Sequence, residues 1–229
     1  GVTRAGWDQE MDEETRSLLD GLHFHTLCEQ NADALQTTLT AVEEKFGDVL
    51  PEMKWLNMGG GHHITRPDYD LTTLEACIRH AREKWGVTVY LEPGEAVALN
   101  AGYLVSRVLD VVENGAVKIV ILDTSAACHM PDVLEMPYQP PAYQASTEEG
   151  AGCRYRLAGP TCLAGDVIGD YTFSHPLREG DLVLFGDMAI YTTCKNNTFN
   201  GMPLPNLWRL DEKRTLTRLT DFGYETFKE

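Results

Sequence analysis

The sequence predicts an α/β segment over residues 1–95, followed by a β-rich segment with antiparallel strands over residues 96–229. Two observations predict this division. In the first segment, short apolar runs alternate with stretches whose apolar residues recur every three or four positions, which is typical of parallel strands joined by helices. In the second segment, short runs rich in β-branched residues are separated by Gly, Pro and Asp, which is typical of antiparallel strands.

In the first segment, the polar and acidic residues 8–20 suit a short helix or a linker. Three compact apolar runs are predicted to be strands: residues 22–27, 53–58 and 87–91. Two stretches with helical periodicity lie between them: residues 31–46 and 71–85. Asn31 is a suitable N-cap for the first of these helices. Because strands and helices alternate, we expect right-handed crossovers between parallel strands.

In the second segment, five short runs are predicted to be strands: residues 105–112, 116–123, 153–157, 167–173 and 182–185. The pair Asn114-Gly115 lies between the first two runs and predicts a tight hairpin turn. Residues 130–152 are rich in proline and are predicted to form an extended surface or interface loop.

The composition limits the classes of partner. The chain has 35 acidic and 19 basic residues, which gives a net charge of −16. This charge makes nucleic acid an unfavourable partner, because its phosphates would be repelled, and it would attract a cationic substrate such as a polyamine. The same charge is also ordinary for an acidic cytosolic protein.

Two further features concern location. No run of about 18 apolar residues occurs, so the sequence predicts no membrane span and no membrane partner. The six cysteines have irregular spacings and form no C-x-x-C pair. This pattern favours reduced thiols in the cytoplasm over the disulfide framework of a secreted protein.

Two histidines occur in the first predicted strand, as His23-Phe24-His25. Alternate side chains of a strand point to the same face, so both imidazoles are expected on one side. Such a pair could ligate a metal ion, as in barrel hydrolases that begin with H-x-H. It could also be one core histidine and one surface histidine, or an imidazole could stack on a flat ligand.

Glycines and a carboxylate follow the next two strands. Gly59, Gly60 and Gly61 follow the second strand, and glycine backbone N–H groups can converge on a phosphate, although a triple glycine can also be a plain turn. Glu92 ends the third strand, where it could equally be an ordinary residue before a turn. Because parallel strands end at one edge, we expect an aromatic base, a glycine turn and a carboxylate together. This set suits a flat, phosphorylated ring that contains nitrogen.

The order of the strand-end motifs carries a resemblance to a known family. The motifs are His23-Phe24-His25, Gly59-Gly60-Gly61, Glu92-Pro93-Gly94, Gly159-Pro160-Thr161-Cys162 and Tyr191. They resemble the fold-III decarboxylases that use pyridoxal 5′-phosphate (PLP), and most closely the carboxynorspermidine decarboxylase branch. The resemblance implies that residues 1–95 are the C-terminal part of a PLP-binding (β/α)8 barrel. It also implies that residues 96–229 form a C-terminal antiparallel β domain, whose final segment returns to the barrel.

The length agrees with part of a barrel. A complete (β/α)8 barrel takes about 250 residues, and three βα units cannot close one. The first segment is therefore either a small open sheet or part of a barrel whose first units lie on an N-terminal segment outside this chain, and the resemblance favours the second alternative. The lysine that attaches PLP is expected there too, since none of the seven lysines lies in a family-like position: Lys45, Lys54, Lys84, Lys118, Lys195, Lys213 and Lys228.

The resemblance assigns cofactor roles to the motif residues. His25 would stack on the ring and take part in catalysis, and Glu92 would pair with the pyridine nitrogen and keep it protonated, so that the ring can absorb electrons. The residues assigned to the rest of the cofactor, above all its phosphate, are Gly59, Gly60, Gly61, Gly94 and Tyr191. Some family members have Arg after Glu-Pro-Gly. Here Glu95 takes that place, and we assign it to the substrate.

Cys162 matches a cysteine that one subunit of the family inserts into its partner's active site, where it assists proton return. The resemblance therefore implies a homodimer with shared active sites. Ornithine and diaminopimelate decarboxylases have an acidic residue next, whereas this chain has Leu163, which suits a longer, N-substituted substrate. Other carboxylates would then meet the substrate amines, and the candidates are Asp123, Asp132 and Glu135. A fully apolar pocket around the cysteine is the alternative.

The function implied is PLP-dependent decarboxylation of carboxynorspermidine or carboxyspermidine to norspermidine or spermidine, with no metal required. One of His62 and His63 is expected near the substrate, and solvent exposure is the alternative for both. Two other classes of function stay open. One is a non-catalytic relative that acts as a partner or regulator, and the other is a metal-dependent barrel hydrolase that uses His23 and His25.

Overall fold

The computed structural model describes residues 2–136, 138–148 and 150–228. The chain divides into two compact units, Gly1–Leu99 and Asn100–Glu229. Each unit has its own cluster of buried apolar side chains. None of the described helices is both long enough and apolar enough to cross a membrane.

The first unit is built around parallel strands in the order β1-β2-β3. The strands are β1 (Gly21–His23), β2 (Trp55–Asn57) and β3 (Thr88–Tyr90). The helices are α1 (Arg4–Gln9), α2 (Glu13–Ser17), α3 (Ala32–Phe46) and α4 (Leu71–Trp85), and single 3-10 turns span Leu50–Glu52 and Glu95–Ala98. The parallel βαβ alternation predicted from the sequence is confirmed, although each strand is shorter than its apolar run.

Helix boundaries in this unit follow from capping. The Asn31 side chain accepts a hydrogen bond from the Ala32 N–H at 2.8 Å, so α3 begins where the sequence predicts. Asp70 caps α4 by accepting from the Thr73 N–H at 3.0 Å, and the helix ends at Gly86 in a left-handed conformation. Leu35 of α3 and Leu74 of α4 are buried in the same cluster as Leu56 of β2, so both helices cover one face of the sheet.

The second unit holds a larger sheet, whose described strands follow the order β6-β8-β7-β5-β4-β9. The strands are β4 (Leu104–Asn114), β5 (Val117–Leu122), β6 (Ala145–Ser146), β7 (Cys153–Ala158), β8 (Val167–Phe173) and β9 (Leu182–Phe185). The helices are α5 (Ala126–His129), α6 (Asp132–Glu135), α7 (Thr192–Lys195) and α8 (Tyr224–Lys228); a hairpin pairs β10 (Trp208–Leu210) with β11 (Leu216–Arg218).

The predicted hairpin turn is confirmed, because Asn114 pairs with Val117 across a two-residue loop in which Gly115 has φ +62°. The predicted antiparallel β domain is confirmed, and one described pair departs from the antiparallel pattern, since β5 and β7 are parallel. A parallel neighbour requires a crossover of a dozen or more residues. Residues 123–152 supply it: the predicted loop over residues 130–152 contains α6 and β6, while residues 137 and 149 lie outside the described residues.

Candidate functional site

In the first unit, the register of the parallel strands places the predicted site residues next to one another. His23 pairs with Asn57, and Asn57 pairs with Tyr90. Backbone hydrogen bonds continue past these residues, from the Phe24 N–H to the Asn57 carbonyl at 3.0 Å and from the Glu92 N–H to the Gly59 carbonyl at 2.8 Å. His25, Gly59 and Glu92 therefore lie side by side, two residues beyond the last paired row.

The Glu92 carboxylate is surrounded on both oxygens. Oε1 accepts a hydrogen bond from Asn57 Nδ2 at 2.7 Å. Oε2 lies 3.4 Å from His23 Nε2 and 4.0 Å from His25 Nδ1. About half of each of the three ionisable side chains is exposed, so their charges are screened and contribute little to stability. What the arrangement provides is a carboxylate with a fixed orientation beside two imidazoles.

The same three side chains also have the geometry of a metal site. One ligand atom from each of His23, His25 and Glu92 lies within 4.8 Å of the others, and no other such group occurs among the described residues. Two imidazole nitrogens and one carboxylate oxygen form a donor set that zinc accepts. The hydrolase interpretation of His23 and His25 therefore keeps a geometric basis.

The glycine turn is packed too tightly for any side chain. A Cβ at Gly59 would lie 2.3 Å from the Phe24 carbonyl oxygen, and one at Gly61 would lie 2.1 Å from the Leu27 carbonyl oxygen. Gly59 and Gly61 also have φ values of +70° and +79°, which favour glycine. A Cβ at Gly60 would lie 2.7 Å from the Glu92 carbonyl oxygen.

The glycine turn has backbone donors to offer. Within the part of the chain that the structure describes, neither the Gly60 N–H nor the Gly61 N–H donates a hydrogen bond to the protein. Neighbouring N–H groups of this kind form an anion-binding turn. A phosphate-sized anion would therefore find backbone donors at this edge of the sheet.

His62 and His63 are buried, so the alternative of solvent exposure is wrong for both, and the expectation that one lies near the substrate stays a prediction. The His62 Nε2 atom lies 3.2 Å from the Met58 carbonyl oxygen, and its Nδ1 atom has no hydrogen-bond partner among the described residues. Burial lowers the pKa of His62 below its ordinary value, and the nearby His25 imidazole acts in the same direction. His62 is therefore a neutral side chain beside the glycine turn at neutral pH.

Asn57 is a residue of this site that sequence reasoning missed. Its side chain contacts Glu92, as above, and its Oδ1 atom also accepts a hydrogen bond from the Gly59 N–H at 2.9 Å. The signal that could have found it is its position. Asn57 lies two residues before Gly59 on the central strand, so it points to the same face as the site.

In the second unit, a buried carboxylate holds the Cys162 loop in place. Asp166 Oδ2 accepts from the Thr161 hydroxyl at 2.6 Å. Its Oδ1 atom accepts from the Ser125 hydroxyl at 3.0 Å and from the Ala126 N–H at 2.7 Å. Cys162 itself is exposed on this loop. Asp166 therefore ties the cysteine loop to the start of α5.

The acidic candidates in this unit already have partners. Asp123 Oδ1 accepts from the Ser106 hydroxyl at 2.9 Å and from the Arg107 N–H at 2.7 Å. Two other carboxylates, of Asp132 and Glu135, both pair with the ammonium of Lys195.

Lys195 also brings Tyr191 to these two carboxylates. The Lys195 Nζ atom lies 5.4 Å from the centre of the Tyr191 ring, and the carboxylate of Asp132 is the main cause of a raised Lys195 pKa. The structure thus gathers Asp132, Glu135 and Tyr191 around one lysine, while Asp123 is held separately. In the first unit, Gly94 and Glu95 begin the 3-10 turn that follows Glu92.

Comparisons with known proteins identify relatives of similar sequence. A carboxynorspermidine/carboxyspermidine decarboxylase of Campylobacter jejuni is 47% identical over 220 residues, which cover 91% of this chain and 57% of the relative. A carboxyaminopropylagmatine decarboxylase of Synechocystis sp. is 40% identical, over 92% of this chain and 54% of the relative. The chain thus spans little more than half the length of these relatives.

A solved structure and a family model agree with these relatives. The crystal structure of carboxynorspermidine decarboxylase from Campylobacter jejuni, complexed with norspermidine, has a TM-score of 0.85 and 45% identity over 97% of this chain and 63% of that one. The family model for the pyridoxal-dependent decarboxylase C-terminal sheet domain matches residues 12–189. Because this match covers well over half of the residues, the chain belongs to the pyridoxal-dependent decarboxylase family.

Proposed function

We propose that the protein is a PLP-dependent decarboxylase that converts carboxynorspermidine or carboxyspermidine to norspermidine or spermidine and carbon dioxide. The proposal rests on one observation: the strand register places His25, the Gly59 turn and Glu92 side by side at one edge of the sheet. The names of the Campylobacter jejuni relatives support the substrate class.

The donor set of the first unit fits PLP. In the turn of Gly59, Gly60 and Gly61, the described residues leave the Gly60 and Gly61 N–H groups without an acceptor and leave no room for a side chain, so the turn would hold the phosphate with Gly94. The family resemblance assigns Tyr191 to the phosphate as well. His25 would lie against the ring. When bound, PLP supplies an electron sink for the pair that remains when carbon dioxide leaves the substrate.

Glu92 would act on the ring nitrogen. Its carboxylate would accept a hydrogen bond from the protonated nitrogen and so keep the proton there. A carboxylate that is already oriented by neighbours needs no rearrangement as charge develops, which is the source of electrostatic catalysis. Asn57 and His23 provide that orientation here.

The proton that replaces the lost carboxylate would come from Cys162. In a two-fold homodimer, this thiol would reach the partner's site and donate its proton to the substrate carbon. Asp166 holds the loop that carries the thiol. None of the six cysteines, all of which lie among the described residues, forms a disulfide. Reduced cysteines of this kind support a cytoplasmic location.

Substrate amines would meet the carboxylates of Glu95, Asp123, Asp132 and Glu135. Since Lys195 already lies between Asp132 and Glu135, a substrate ammonium would compete with this lysine there. The net charge of −16 attracts a polycation at long range. Leu163, about two-fifths exposed, offers a methylene chain an apolar contact beside Cys162.

The test is a substrate panel measured with the full-length, PLP-loaded protein. We expect the highest kcat/KM for carboxynorspermidine or carboxyspermidine, a lower value for carboxyaminopropylagmatine, and the lowest values for ornithine, lysine and diaminopimelate. A higher kcat/KM for any of the last three would contradict the proposed substrate class. No turnover of any amine, despite bound PLP, would favour the non-catalytic interpretation.

The metal-dependent hydrolase is the second candidate, and the spacing of His23, His25 and Glu92 favours it. It predicts one zinc ion per chain in protein purified without chelators, and loss of that zinc in a His23→Gln variant. Under the PLP proposal, the purified protein contains PLP and no stoichiometric metal at these residues.

A further inference from the structure

We propose that Asn57 is a positioning residue that fixes the Glu92 carboxylate and the glycine turn to each other. This inference rests on the proposed function, because it concerns the two groups that would hold the ring nitrogen and the phosphate of PLP. Asn57 Nδ2 donates to Glu92 Oε1 at 2.7 Å, and the Gly59 N–H donates to Asn57 Oδ1 at 2.9 Å. One amide thus joins the two ends of the candidate cofactor site.

The orientation of this amide is set by its partners. A backbone N–H can only donate, so the atom that faces Gly59 must be the oxygen. An ionised carboxylate can only accept, so the atom that faces Glu92 must be the nitrogen. Both contacts are short and each pairs a donor with an acceptor. Asp would offer no donor to Glu92, and Ala would offer neither contact.

The place of Asn57 in the sheet explains why it can serve both groups. It lies on the central strand β2, with β1 on one side and β3 on the other. Its register partners are His23 and Tyr90, so Asn57 lies two residues before the level of His25, Gly59 and Glu92 and on the same face. Asn57 is half-buried; its contact with Gly59 is partly buried, and its contact with Glu92 is exposed.

The two carboxylate oxygens of Glu92 therefore have different neighbours. Oε1 is engaged by Asn57, and Oε2 faces His23 at 3.4 Å and His25 at 4.0 Å. Without the Asn57 amide, the carboxylate could rotate about its last bond. The Gly59 N–H would also lose its acceptor. We therefore expect a change at residue 57 to affect both the ring-nitrogen end and the phosphate end of cofactor binding.

Two variants separate these effects. Asn57→Asp keeps an oxygen for the Gly59 N–H, but it replaces the donor to Glu92 with a second carboxylate. Asn57→Ala removes both contacts. The matched control is Asn114→Asp, which adds the same charge at an exposed hairpin where Asp-Gly is as suitable as Asn-Gly.

The measurement is the Kd of PLP and of pyridoxal, which lacks the phosphate, for the full-length protein freed of cofactor. The ratio of the pyridoxal Kd to the PLP Kd measures how much the phosphate contributes to binding. Both ligands carry the same aldehyde, so its reaction with the protein cancels in this ratio. Pyridoxal has no phosphate for the new carboxylate to repel, so it reports the Glu92 end alone. Asn57→Asp should raise the Kd of pyridoxal about tenfold or more, as expected for a lost hydrogen bond to a charged group. Asn57→Ala should raise the Kd of PLP more than the Kd of pyridoxal, so the ratio of the pyridoxal Kd to the PLP Kd should fall.

The control Asn114→Asp should bind both ligands like the wild type. Thermal unfolding of each variant identifies a failure to fold, in which case the other substitution at residue 57 provides the test. If wild-type protein does not bind PLP, the proposed function fails and the inference fails with it. If wild type binds PLP and Glu92→Gln weakens it, while both Asn57 variants bind like wild type, the inference alone is overturned.

Discussion

At the residue scale, the Glu92 carboxylate is the charge on which the proposed chemistry depends. It is held by Asn57 and lies beside two imidazoles. Removing a preorganised partner of this kind typically costs a factor of about 100 to 1,000 in kcat. We expect Glu92→Gln to lower the kcat of the full-length, PLP-loaded protein by about that factor.

The control for this prediction is Glu75→Gln, which removes the same charge from an exposed position of α4. It should leave kcat unchanged. A Glu92→Gln protein that turns over carboxynorspermidine at a near-normal rate would show that Glu92 does not serve the ring nitrogen.

The glycine turn gives a second prediction at this scale. A Cβ at Gly60 would lie 2.7 Å from the Glu92 carbonyl oxygen and 3.1 Å from His25 Cε1. Overpacking of this kind costs about 1–3 kcal/mol, so we expect Gly60→Ala to raise the Kd of PLP about tenfold to a hundredfold. Gly223→Ala, which has no heavy atom within 4 Å of its Cβ, should bind PLP normally. Equal Kd values for the two variants would exclude a cofactor at this turn.

Sequence reasoning located some residues of the site and missed others for a physical reason. His25, the glycines and Glu92 stand at strand ends, and parallel strands end at one edge, so their meeting could be predicted. The contact of Asn57 with Glu92 could not be predicted, because it crosses to a neighbouring strand and depends on the register of that strand.

At the scale of elements, α5 is a short helix with several anchors at its start. Ser125 caps it, and Asp166 accepts hydrogen bonds from the Ser125 hydroxyl and the Ala126 N–H. The His129 ring lies at its end, where Nδ1 is 2.8 Å from the Thr124 hydroxyl and accepts from the Ser125 N–H at 3.1 Å. The other ring nitrogen, Nε2, lies 3.0 Å from the Pro203 carbonyl oxygen.

These contacts fix the neutral form of His129, with its proton on Nε2. Burial lowers the pKa of His129, although the Pro203 carbonyl and nearby carboxylates oppose this effect. A group whose pKa is lower in the folded state binds its proton first in the unfolded state. Its stabilising effect is therefore complete above its ordinary pKa and is lost as the pH falls below that value.

We accordingly predict that the free energy of unfolding falls between pH 7.5 and pH 5.5. Each affected histidine can contribute up to about 1.4 kcal/mol for each pH unit below its ordinary pKa. A His129→Gln variant should show a shallower fall in urea unfolding experiments, because glutamine does not titrate. The exposed His175 provides the control, and His175→Gln should keep the wild-type slope. A wild-type slope in His129→Gln would contradict the prediction.

At the scale of the whole molecule, the proposed function requires two chains for each active site. Cys162 would be contributed by one subunit, and His25 and Glu92 by the other. Mixing Cys162→Ala protein with Glu92→Gln protein should restore up to about a quarter of the activity, since half of the dimers would be hybrids with one intact site each. No restoration, despite subunit exchange shown by labelled chains, would mean that each site is built within one subunit.

The sequence by itself determined what depends on neighbouring residues. Apolar periodicity and the caps Asn31 and Asp70 set helices α3 and α4, and Asn114-Gly115 set the hairpin turn. The order of the strand-end motifs identified the family, as the match over residues 12–189 shows.

Only the tertiary structure decided what depends on distant residues. Four features depend on sheet register or on packing between residues far apart in the sequence. They are the parallel pairing of β5 with β7, the burial of His62, the ion pair of Lys195 with Asp132 and the hydrogen bond from Asn57 to Glu92. The physical reason is that a polar side chain offers the same donors and acceptors wherever it lies. Which partner it finds is fixed by the register of the strands and by the packing of the elements around it.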